Sequence, residues 1–284
     1  MDVEGCLGGT IANLVADVYE GLKAMSSGLI FEDVSLSIGG IKILSDITLS
    51  IEAGSKVVIV GANGAGKSTL FELFAARRRP SSGKIGILGE TIGLTDMRRL
   101  RRRIGVCGSS TLEKIDPNLV LTEVVLTGID QVFSNWFSEV DEEQIKRARE
   151  LLEVVGLEGR RGEKFSNLSM GQRQQIGIAR ALMANPSVLL LDEPFAGLDL
   201  PSREGLIERL DRIAMEYPEL TVILVTHHIE EIPESFNRIV GLSRGRVVAD
   251  GSKVEVLTSE VISRIFETEV DVFQVGNRSV AIAK

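Results

Sequence analysis

The chain of 284 residues predicts an α/β fold with a mostly parallel core sheet, an antiparallel β subdomain and an inserted helical subdomain. Three observations carry this. The run KVVIV at 56–60 is continuously apolar and passes at once into GANGAGKST and a helical run, LFELFAARR. A strand apolar at every position is one covered on both faces. Two more apolar runs, SVLLLDEP at 187–194 and TVILVTH at 221–227, end in polar residues. Open α/β sheets place their ligands at such strand ends. The stretch 111–186 reads instead as helical, with DEEQIKRARELLEVVGL at 141–157 and LSMGQRQQIGIARALMANP at 168–186.

In chain order, residues 1–28 read as an appended segment with one short helix over 9–24. LIFEDVSLSI, a glycine turn at 39–40 and IKILSDITLSI then read as an antiparallel pair. Residues 29–106 are expected to hold this β subdomain and the first part of the core, 107–170 the helical subdomain, and 171–251 the second part of the core. GLSRGRVVADGS predicts a hairpin turning at Gly245, and 252–284 a helix near 254–267 with a strand-like tail.

A formal charge of -8 and a pI near 5.1 argue against a surface that wraps nucleic acid. MRRLRRR at 97–103 has no interleaved aromatics and reads as a solvated helix face. Cys6 and Cys107 lie far apart, which suggests neither a disulfide framework nor a zinc site and fits a reducing cytosol. The run LGGTIANLVADV at 7–18 is broken by Asn13 and Asp17 and is neither a signal peptide nor a span. No apolar run reaches the roughly 18 residues of a spanning helix, so a membrane role has to come through a partner.

GANGAGKS at 61–68 satisfies G-x-x-x-x-G-K-[ST]. Its residues Gly61, Asn63, Gly64, Ala65 and Gly66 curl backbone N–H groups around a phosphate chain, and the helix that follows, with Thr69 in its first turn, adds its positive end. Lys67 reaches the outer phosphates and the Ser68 hydroxyl ligates magnesium. Asp192, ending a buried strand, holds the same metal, mostly through water, because a hard cation takes oxygen ligands. Glu193 is placed to orient and deprotonate the attacking water. LSMGQ at 168–172 opens a second helix whose N–H groups point at an anion. One ATP needs one such cradle, so this end serves the nucleotide of another copy; the plainer alternative is a helix capped by Ser169.

GANGAGKS, LSMGQ, LLLDEP, AGLD at 196–199 and TH at 226–227 stand in the order and spacing of the nucleotide-binding subunits of ATP-binding cassette (ABC) proteins, which the chain resembles over 29–256. The resemblance implies a P-loop ATPase working as a head-to-tail dimer. Two ATP molecules, with Mg2+, are sandwiched between the phosphate loop of one copy and Ser169, Gly171 and Gln172 of the other. Met170 stands where the family usually has Gly. The resemblance makes His227 the switch histidine that contacts the γ-phosphate, and makes Asp199 a residue of the dimer interface. His228 stands where the family often has Asp, and Ile38 where many members stack an aromatic on adenine. An aliphatic residue there gives up an offset-stacking gain of about 0.5–1.5 kcal/mol, so loose base selectivity is expected.

Ser109, or alternatively Ser110, in IGVCGSS at 104–110, stands in place of the glutamine that in this family touches both magnesium and the helical subdomain. In this the chain resembles a branch of stand-alone ABC ATPases similar to iron-chelate and molybdate importer subunits. The expected function is ATP hydrolysis in a homodimer that drives the separate transmembrane permease of an importer, with the chain cytoplasmic or peripheral at the inner face of the cell membrane. Two alternatives are a soluble ABC ATPase acting as a regulator or on a macromolecule, and a nucleotide-binding module without turnover. Glu193 and His227 speak against the last, and the lack of a second cassette or a long coiled coil against the commonest forms of the other.

Overall fold

The computed structural model describes residues 27–134 and 140–284, so the expectation of a helix over 9–24 lies outside the described residues. The chain opens as predicted with an antiparallel pair, β1 (Ser27–Ile38) and β2 (Ile41–Glu52). Next come β3 (Lys56–Val60), α1 (Lys67–Phe74), β4 (Ser82–Ile87), the two-residue β5 (Glu90–Thr91) and α2 (Met97–Arg102). They lead into β6 (Ile104–Gly108), α3 (Ser109–Leu112), α4 (Leu121–Leu126) and α5 (Glu142–Val154). The second half holds α6 (Met170–Leu182), β7 (Val188–Asp192), α7 (Leu200–Glu216), β8 (Thr221–Thr226), β9 (Arg238–Ser243) and β10 (Arg246–Ser252). It closes with α8 (Lys253–Val256), α9 (Ser259–Phe266), β11 (Val270–Val275) and β12 (Arg278–Ala283).

A six-stranded sheet in the order β10-β9-β3-β8-β7-β6 forms the core, parallel throughout except where β10 turns back on β9. A second sheet, β2-β1-β4-β5, is antiparallel. Side chains alternate across a strand, so each central strand feeds two cores. Val58, Leu189, Leu191 and Leu224 join a cluster with the helical stretch, through Val124, Leu151 and Ile176. Val57, Ile59, Leu190 and Ile223 face the other way, onto α1 and the antiparallel sheet, through Leu70, Phe74 and Phe31. This double burial is why KVVIV and VLLL read as unbroken apolar runs.

Three readings of the sequence are refined by the structure. β6 runs two residues past 106, so Cys107 and Gly108 belong to the core sheet beside Leu191 and Asp192 rather than to the helical stretch. The helix expected near 254–267 is two helices, α8 and α9, because Thr258 caps a new one by accepting from the N–H of Val261. The strand-like tail is a hairpin of β11 and β12. MRRLRRR is the helix α2, capped by Asp96, with Leu100 buried and Arg98, Arg99 and Arg102 exposed.

Candidate functional site

The predicted phosphate loop, 61–68, is held open by its neighbours. A Cβ on Gly61 would sit 2.3 Å from the carbonyl oxygen of Leu242 in β9, so only glycine lets the loop leave β3 this close to the next strand. Gly61→Ala is expected to lower stability by about 1–3 kcal/mol, the range for overpacking a tight site. Urea denaturation measures this, and an unchanged midpoint would show that β9 yields freely. Gly66 precedes α1 with φ 102, a left-handed conformation that favours glycine, and provides no side-chain cap. Leu70 donates back to Gly66, but the N–H groups of Lys67, Ser68 and Thr69 have no acceptor within the helix. A helix start with donors and no cap fits a phosphate group.

Around this loop the structure assembles the predicted catalytic groups. Lys67 is buried, and its Nζ donates to the carbonyls of Gly61 at 2.9 Å and Ala62 at 3.1 Å while lying 3.8 Å from Glu193 Oε1. Glu193 follows β7 in a left-handed conformation, φ 46. Its N–H donates to Val225 of β8, which fixes the turn that carries the carboxylate off the sheet. Glu193 Oε1 lies 3.1 Å from His227 Nδ1. A non-glycine residue in this region is strained, and such strain concentrates where a side chain has to be aimed. Asn63, Ser68, Asp192 and Glu193 line one cleft of about 520 Å³ together with Ser109 and Ser110.

Burial and the adjacent Glu193 charge push Asp192 up to about 6, against the lowering pull of Lys67 and Arg77. Keeping this carboxylate ionised is costly, and a divalent cation offsets that cost. Carboxylate and hydroxyl oxygens are the hard donors magnesium takes, so the pair Asp192 and Ser68 fits it. Gly108 pairs with Asp192 across β6 and β7, and a Cβ there would press on the Asp192 side chain at 2.9 Å. Ser109, next along, thus borders the cleft at the head of α3.

The remaining predicted residues lie outside that cleft. Ser169 caps α6 in a reciprocal box, its hydroxyl accepting from the Gln172 N–H at 3.3 Å and the Gln172 side chain accepting from the Ser169 N–H at 3.0 Å. Gly171 packs where a Cβ would lie 3.1 Å from Ser202, whose N–H donates to the capping carboxylate of Asp199. The helix starts at Ser169 and Asp199 therefore stand side by side. Ile38 ends β1 opposite Ile41, and both are exposed, at 41% and 67%. His228 turns to Glu230, 3.2 Å away, and Thr226 donates to the buried Glu231 at 2.6 Å, fixing the segment after His227. Sequence reasoning missed Glu72 and Arg77, which also line the cleft. The signal was available for Glu72, which lies one helical turn beyond Ser68 on α1.

A glycine-rich loop opening a helix, a strand-end Asp-Glu pair and a histidine on the acid define a P-loop nucleotide-hydrolysing protein. Residues 44–196 match the model of the ABC transporter family. The chain is 35% identical over 248 residues, 87% of its length and 95% of the other's, to a putative ABC transporter ATP-binding protein of Streptococcus mutans. It is 35% identical over 236 residues, 81% of its length and 84% of the other's, to the phosphonates import ATP-binding protein PhnC of Alcaligenes faecalis. Among solved structures it superposes on the ABC transporter cassette MJ0796, solved as a dimer, with a TM-score of 0.68 and 29% identity, over 79% of this chain and 98% of that one. The chain belongs to the ABC transporter ATP-binding family, binds ATP and is an ATPase. Among the described residues no helix is long and apolar enough to cross a membrane.

Proposed function

We propose that this ATPase is the nucleotide-binding subunit of an ABC importer, working as a head-to-tail homodimer with Mg2+ and driving a separate transmembrane permease. The observation that carries the dimer is the pair of anion-ready helix starts, one at Gly66, whose helix lines the cleft through Ser68, and one outside the cleft at Ser169. The second start has Asp199 beside it on an exposed face, which suits an interface. The dimeric MJ0796 cassette supports the same arrangement, and the relative PhnC supports import.

In this reading the N–H groups from Gly64 to Thr69 and the Lys67 ammonium bind the phosphates, and Ser169 and Gly171 of the second copy close over the γ-phosphate. Asp192 and Ser68 would hold magnesium, which when bound offsets phosphate charge. Glu193 accepts a proton from the attacking water, and His227 holds the Glu193 carboxylate in place. Ile38 covers the adenine without stacking on it. ATP and GTP are then expected to be hydrolysed with kcat/KM values within roughly tenfold of each other, the span of a lost stacking contribution. A strong ATP preference in steady-state phosphate release would refute this assignment.

One observation favours a second reading, a stand-alone ATPase without a permease. Ser109 is too short to reach from the metal to the helical stretch. Affinity purification of Glu193→Gln from the native host separates the two. An integral membrane protein with several spans is expected to accompany it, whereas ribosomal or other soluble partners in its place would favour the second reading.

A further inference from the structure

A second cavity, of about 250 Å³, lies between the core sheet and the helical stretch, and among the described residues its walls carry four cations, Arg77, Arg101, Lys114 and Arg180, but no carboxylate. Arg180 is only 4% exposed. Its guanidinium donates to the Thr127 hydroxyl at 2.9 Å and the Val132 carbonyl at 2.7 Å, and lies 4.7 Å from the centre of the Phe133 ring. Among the described residues none of these partners carries a formal charge, and a buried cation lacking a counter-ion is costly. Burial pushes Arg180 down to about 10, and the charge of Arg77 acts in the same direction. Lys114 sits 5.7 Å from the same ring. Arg101 is held in the wall by its Nε bond to Ala76 and by Gln131, whose amide donates to the Arg101 carbonyl at 2.6 Å.

Arg77 lines this cavity and the nucleotide cleft as well. It follows α1, the helix that carries Lys67 and Ser68, and it feels the carboxylates of Glu72 and, more weakly, Asp192. A side chain shared by two cavities, one of which receives ATP, can make the charge in one depend on the charge in the other. The missing glutamine at Ser109 leaves room for such a second link between core and helical stretch.

We propose that the cavity is a binding site for a small multivalent oxyanion, carboxylate- or phosphate-bearing, and that Arg77 couples its occupancy to the nucleotide cleft. The volume is below the usual 300–1,000 Å³ of drug-sized sites, which restricts the ligand to a compact anion. The cations come from both walls, Arg77 and Arg101 from the core side and Lys114 and Arg180 from the helical side, so a bound anion bridges the two.

The test is isothermal titration of the full chain, saturated with ADP so that the phosphate loop is filled, with tricarballylate and separately with pyrophosphate at low ionic strength. One saturable site per chain is expected for at least one probe, and the tighter probe names the class. Lys114→Gln and Arg101→Gln are expected to weaken it tenfold or more with an unchanged melting temperature. Arg98→Gln, on an exposed residue outside the cavity, is expected to leave it as it is. No saturable binding, or equal weakening by Arg98→Gln, would overturn the site. The bound anion is also expected to shift the ADP dissociation constant several-fold, reciprocally. That shift is expected to vanish in Arg77→Gln. Its absence in the unmodified chain, or its survival in the variant, would overturn the coupling.

Discussion

Glu193→Gln is expected to keep ATP binding and to lower turnover by about 10²–10⁴-fold, the usual contribution of a positioned general base. The geometry explains both halves. Glutamine is the same shape, so its oxygen can keep the place 3.1 Å from His227 Nδ1 and the turn after β7 is undisturbed. What it lacks is the basic carboxylate. Neither phosphate nor metal is held by Glu193 in this account, so the nucleotide affinity measured by equilibrium titration should stay within a few-fold. Phosphate release at the unmodified rate would show that another group is the base.

Lys67→Ala is expected to weaken ATP binding by roughly ten- to a hundredfold, the equivalent of about 1.5–3 kcal/mol for hydrogen bonds made by a charged group. The ammonium is buried and already bridges the loop carbonyls of Gly61 and Ala62, so it is pre-positioned at the mouth of the cradle. Removing it deletes a positive charge where the phosphates arrive and leaves the N–H donors of the loop in place. Fluorescence titration with a labelled ATP analogue reads this directly. Unchanged affinity would contradict the assignment of GANGAGKS as the phosphate site.

Much of this was legible in the sequence, for a physical reason. The central strands are buried on both faces, so β3, β7 and β8 announce themselves as apolar runs, and the residues at their ends are the ones that gather around the cleft. The loop needs glycine at Gly61 and Gly66 for reasons of contact and conformation, and those glycines are the motif. β4 and β6 were harder to see. SGKIGI has only Ile85 and Ile87 buried, and IGVCG carries two glycines because Gly105 packs on Ala181 and Gly108 on Asp192. Strands whose inward positions are small look like loops. Arg77 and Arg180 were opaque for a different reason. Nothing in the spacing of an isolated arginine tells a solvated one from one that lines a cavity, and only the packing of α6 against β6 and α4 brings Arg180 under Phe133.

The side-by-side helix starts at Ser169 and Asp199 sit outside the cleft that Ser68, Asp192 and Glu193 line. They complete a nucleotide site only if a second copy brings its own pair to that cleft. Static light scattering of Glu193→Gln, with and without ATP, tests this most directly, because in the proposed arrangement the unhydrolysed nucleotide would hold the two copies together. The account predicts a monomer without nucleotide and twice that mass with ATP, reverting to the monomer when Ser169 is replaced by Arg. A mass that stays monomeric at saturating ATP would contradict it.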